Sequence, residues 1–111
     1  WGRAMQEHAP EFQPLLNAPS ARPDRWNVIA AHGLVNAEPG RSSPIYTHDL
    51  NQLSADYVAL GHVHVHSVVH ENPLTMYSGA PYYWGSDKTG CIIVDFMPHE
   101  PVQAEWISLS Q

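Results

Sequence analysis

The chain has 111 residues, 43% hydrophobic and only 14% charged, a balance that excludes a disordered polypeptide and leaves enough apolar material for one core. A formal net charge of −6 with a single lysine, Lys88, excludes a basic stripe able to follow a phosphate backbone unaided. One cysteine excludes a disulfide framework, and Cys91, set in Cys91-Ile92-Ile93-Val94, reads as a buried thiol acting as a small hydrophobe.

Residues 1–25 are loop-like, with prolines at 10, 14, 19 and 23 and one short helical turn expected over residues 12–16. The opening Trp1-Gly2-Arg3 lacks an initiating methionine, which predicts a fragment of a larger chain. "WNVIAA" over residues 26–31 is apolar, partly β-branched and too short for a typical helix, so it predicts a buried strand ending at His32-Gly33. Residues 34–43 contain Pro39, Gly40 and two serines and predict a surface loop. Thr47 can cap a short helix over residues 48–55 with Leu50 and Leu53 on one face.

"YVAL" after Asp56 predicts a second buried strand, ending at Gly61. Residues 67–71 and 74–77 flank Asn72-Pro73 and predict a hairpin. Gly90 precedes "CIIVDFM", the most strand-like segment, and residues 102–107 alternate as a last strand should. The expected order is strand, helix, strand and then mainly antiparallel strands. No run approaches the ~20 apolar residues that span a bilayer, so a soluble, cytoplasmic protein with no membrane contact is expected.

The chemistry concentrates in "LGHVHVHSVVH", residues 60–70. In parallel α/β sheets, functional groups gather at the carboxyl ends of strands, and both His32 and His62 fall there. His64 follows His62 by two positions, which in extended backbone puts both imidazoles on one side, about 6 to 7 Å apart. Rings so spaced serve one ion as paired ligands, or two ions ~3.5–4 Å apart with one ring each. Continued alternation puts His66 on the side of His64, either facing substrate or simply exposed, as His70 would be. His8, His48 and His99 read as surface residues. Ser78-Gly79-Ala80-Pro81 is either a substrate-side loop or a plain tight turn. Tyr82, Tyr83 and Trp84 read as cover for a core edge, with base stacking the lesser alternative.

His32-Gly33 closing a strand, then "DYVALGHVH", then "YSGAP" and a terminal apolar strand together resemble the carboxyl-terminal half of a calcineurin-like metallophosphoesterase. "DYVALGHVH" and "YSGAP" are most similar to the SbcD-type DNA-repair nuclease branch. The likeness covers residues 26–96 and implies an α/β (α+β) fold: half of a two-sheet sandwich, with few short helices and many loops. It implies a metal-dependent phosphoester hydrolase, phosphodiesterase or nuclease-like, with two divalent ions, Mn, Fe or Zn, in the intact enzyme. Those metals would polarise phosphoryl oxygens and acidify a bound water. His32 and His62 would ligate one ion and His64 the other, with His66, Ser78 and Gly79 on the substrate side.

The family's Gly-Asp-x-His, Gly-Asp-x-x-Asp and Gly-Asn-His-Asp/Glu motifs do not occur, and Asp24, Asp49, Asp56, Asp87 and Asp95 lack their context. Neutral imidazoles do not offset the repulsion between two close cations, so the remaining ligands are expected from a missing amino-terminal half of the same domain. No catalytic acid or base is assigned. The implied partners are a phosphoester substrate, DNA in the nuclease case, and an ATPase subunit if the chain is SbcD-like. Two alternatives remain open: a non-catalytic metal-binding or structural module, and a mononuclear zinc hydrolase with His32, His62 and His64 on one ion.

Overall fold

The computed structural model describes residues 2–3, 12–36, 43–82 and 88–109. In chain order its elements are β1 (Gly2–Arg3), β2 (Val28–His32), β3 (Leu34–Val35), β4 (Pro44–Ile45), α1 (Thr47–Gln52), β5 (Tyr57–Gly61), β6 (Ser67–Glu71), β7 (Leu74–Tyr77), β8 (Gly90–Asp95) and β9 (Gln103–Ser108). The described part is thus mixed α/β, mostly strands in small sheets with one short helix.

The main sheet has the order β1-β2-β5-β7-β6. β2 and β5 pair in parallel along their full length, with His32 opposite Gly61. Their alternation sends Ile29, Ala31, Val58 and Leu60 to one face, where Leu15, Ile45, Leu50 and Tyr77 complete the core. Leu50 of α1 is fully buried and Leu53 packs beside it, as their shared face predicts. Burying each such aliphatic side chain contributes roughly 1.5–3 kcal/mol. Leu15 reaches this core from a turn at residues 14–17, closed by Leu16 N–H on Gln13 O at 3.1 Å.

β6 and β7 form the predicted hairpin around Asn72-Pro73. Its placement corrects the expected run of antiparallel strands: β7 inserts between β5 and β6 and pairs with β5 in parallel. Burial explains the choice. Thr75, Met76 and Tyr77 of β7 are all buried, whereas β6 exposes Val68 and Glu71 and takes the edge. Three neighbouring parallel strands therefore end together at His32, Gly61 and Tyr77.

Other boundaries moved as well. Gly2–Arg3 is a strand paired with β2 rather than loop, and Leu34–Val35 leaves the expected loop to pair with Pro44–Ile45. Residues 37–42 of that loop lie outside the described residues. The helix starts at Thr47 with Tyr46 as its cap and ends at Gln52. The Thr47 hydroxyl does not cap it, donating instead to Asn36 Oδ1 at 2.9 Å. Among the described residues no helix is long and apolar enough to cross a membrane.

β8 and β9 make a separate antiparallel ladder of six residue pairs. It is moored to the main sheet by Gly90 N–H on Ala80 O, 3.0 Å, and by the Trp26–Phe96 ring contact, 5.4 Å between centroids. A cleft of about 270 Å³ lies between them, lined by Tyr57, Ala59 and Met76 from the sheet and by Cys91, Ile92 and Val94 from the hairpin. Cys91 is consequently half-buried rather than sealed in a core.

Candidate metal centre

The carboxyl edge of β2, β5 and β7 is where two of the candidate ligands, His32 and His62, meet. Gly33 N–H donates to Gly61 O at 3.1 Å, so the two chain segments stay paired one residue past the strand. The edge is also pinned from below: Tyr77 OH donates to Gly33 O at 2.6 Å and accepts from Val35 N–H at 3.0 Å. Burial raises the pKa of that phenol, so it stays a neutral donor.

His32 and His62 come together there, with ring centroids 5.4 Å apart and planes at 84°. Two imidazoles sharing one tetrahedral ion through ~2.1 Å bonds have centroids about 5 Å apart, so the observed pair fits a common cation. Gly61 makes the approach possible, since a Cβ built on it would lie 3.0 Å from His32 Nδ1. Burial, followed by the charges of His62 and His64, lowers the pKa of His32. That keeps the ring neutral with its lone pair available, the form a metal needs. It also places His64 within electrostatic reach of His32.

The backbone at this point departs from the extended form assumed from sequence. β5 stops at Gly61, and His62 takes φ of 122°, a region that L side chains rarely adopt. Such a residue costs of order 1–3 kcal/mol and persists only where its surroundings hold it. The alternation from His62 to His66 is therefore broken, and the simple same-side geometry does not apply. Residues 64–66 are held instead by residues 78–80: Ala80 N–H donates to His64 O at 3.3 Å. Gly79, with φ of 80°, sits so close to this backbone that a Cβ on it would lie 3.0 Å from His66 N and 3.2 Å from His64 O.

The residues expected on the substrate side make the following contacts within the protein. The His66 ring is half-buried, with Nδ1 2.9 Å from Tyr77 O, and it stacks on Trp106 at 5.6 Å and 15°. Since a carbonyl only accepts, Nδ1 carries the proton. Ser78 turns its hydroxyl to Gly79 O at 3.2 Å, while its own carbonyl accepts from Trp106 Nε1–H at 3.0 Å. His66, Ser78 and Gly79 thus lie in the packing between residues 64–66, residues 78–80 and Trp106. His70 is also half-buried rather than exposed, with Nδ1 on Pro73 O at 2.9 Å and Nε2 on Asn51 Oδ1 at 2.7 Å. His48 and His99 are exposed, as expected, and His8, Tyr83, Trp84 and Asp87 lie outside the described residues.

Among the described residues no carboxylate joins the imidazoles. Asp24 pairs with Arg25, Asp49 lies beside His48, and Asp56 accepts from Asn27 N–H at 2.7 Å. Among the described residues no group of three or more His, Cys, Asp or Glu side chains is arranged to hold a metal ion. The edge offers two converged imidazoles and a third nearby, a donor set suited to Zn²⁺, Mn²⁺ or Fe but incomplete for a pair of ions. Comparison with protein families and with curated sequences finds no match. Trp106 and Tyr77 were not singled out from sequence, because their roles depend on contacts 28 and 44 residues away along the chain.

Proposed function

We propose that this chain supplies the imidazole part of a metal-dependent phosphoesterase site, acting in the cytoplasm within a two-sheet sandwich domain. The observation that carries the reading is the His32–His62 ring pair at the carboxyl edge of the parallel strands. His32 and His62 would hold one ion, with His64 reaching a second whose acidic ligands come from beyond the described residues. Ions bound there would supply Lewis-acid polarisation of a phosphoryl oxygen and a bound water of lowered pKa. The chain's own part is to present neutral imidazoles on a rigid edge: the buried environment of His32 disfavours its protonation, and the Tyr77–Gly33 bond fixes the strand end.

A nuclease or phosphodiesterase is the preferred subtype, on the likeness of "DYVALGHVH" and "YSGAP". With a net charge of −6, DNA contact would rely on basic surface from elsewhere, such as an ATPase partner. The neutral donor set also favours a second reading, a single zinc ion held by the same histidines; one metal per polypeptide supports it and two support the first. In the full-length protein, His62→Ala is expected to abolish Mn²⁺-dependent hydrolysis of bis(4-nitrophenyl) phosphate. Unchanged turnover refutes the assignment.

A further inference from the structure

Three features of the molecule take no part in that chemistry: Trp106 on β9, Gly90 on β8 and the packed ring of His66. They meet at one place. The Trp106 ring stacks on His66 at 5.6 Å, and its Nε1–H reaches Ser78 O at 3.0 Å. One side chain thereby touches both segments that define the ligand loop, residues 64–66 and residues 78–80. These segments are in turn joined by Ala80 N–H on His64 O and by the tight seat of Gly79 against residues 64–66.

Gly90 lets this happen, because a Cβ there would collide with the six-membered and pyrrole atoms of the Trp106 indole. Its N–H bonds Ala80 O at 3.0 Å, so β8 grips the same segment that Trp106 caps. The His66 ring is trapped between this indole and the Tyr77 carbonyl. With φ of 122° at His62, the loop needs outside restraint to keep its shape.

We infer that Trp106 is a positioning residue: the β8–β9 hairpin acts as a clasp that holds the residue 62–66 loop in its metal-presenting conformation. The inference rests on the metal-site reading for its consequence, but the clasp has its own readout. In the metal-free protein the ring current of Trp106 is expected to shift the His66 ring protons upfield. Trp106→Leu is expected to remove that shift and to move the His62 and His64 resonances, while amide exchange protection in β2, β5 and β7 stays. Zn²⁺ affinity is expected to fall about 10-fold or more, the usual range when groups that orient ligands are lost.

Trp106→Phe keeps an aromatic plane over His66 and removes only the donor to Ser78 O. It serves where the leucine variant loses sheet protection, and it is expected to weaken Zn²⁺ binding by a few fold with the sheet intact. Resonances of His62 and His64 that stay in place in either folded variant overturn the clasp. Failure of the wild-type protein to bind Zn²⁺ overturns the metal reading instead, with the resonance changes still deciding whether the clasp exists.

Discussion

The loop that carries His62 and the hairpin that carries His70 belong to one histidine-rich stretch, yet the fold uses their imidazoles in opposite ways. His70 lies in regular β6, both ring nitrogens bonded, tying the Pro73 turn to Asn51 of α1. His62 lies just past the end of β5, in a backbone region that costs free energy, and its ring faces that of His32. A side chain that holds a fold together spends its polar atoms on the protein. On the proposed metal reading, His62 keeps a lone pair for a ligand, and the strained backbone there is the cost of that placement.

His62→Gly breaks this contrast most sharply. Glycine accepts φ of 122° without penalty, so the variant is expected to gain up to about 1–3 kcal/mol of stability while losing detectable Zn²⁺ binding. Urea unfolding and calorimetric titration read the two effects separately; a destabilised variant shows that His62 works in the fold like His70. His70→Ala is expected to do the reverse. Pro73 O keeps the Thr75 hydroxyl and Asn51 is exposed to water, so losing the two His70 bonds should cost about 0.5–1.5 kcal/mol, with Zn²⁺ affinity unchanged.

A smaller effect comes from pH. His32 has a lowered pKa in the folded state, chiefly through burial and then through the charges of His62 and His64. The unfolded chain therefore takes up this proton first, so stability is full above the ordinary value of about 6.5 and falls as pH drops through it towards the folded pKa. Urea midpoints measured from about pH 8, above that window, down to about pH 5 should decline for the wild type and decline less for His32→Asn. Equal slopes mean that His32 is not held neutral by its surroundings.

The elements with a clear local pattern were legible in the sequence. Apolar runs ending in glycine and histidine marked β2 and β5, and Asn72-Pro73 marked the β6–β7 turn. The two-residue ladders β1, β3 and β4 are too short to carry a periodicity. Nor does any local signal announce that β7 pairs in parallel with β5, because the partner is chosen by which strand can be buried on both faces. At the site, the pairing of His32 with His62 followed from both residues ending adjacent strands. The turned backbone at His62 did not: the contacts of residues 78–80 and Trp106 with residues 64–66 of the same loop come from distant parts of the chain. That same packing holds the His66 ring between Trp106 and the Tyr77 carbonyl.

Stepwise addition of Zn²⁺ to the metal-free protein, followed through the ring resonances of each histidine, tests the shared ion most directly. His32 and His62 are expected to respond together at the same metal equivalents, with His48 and His70 unmoved. A response of His62 without His32, or of the two at separate equivalents, contradicts a common ion at the strand ends.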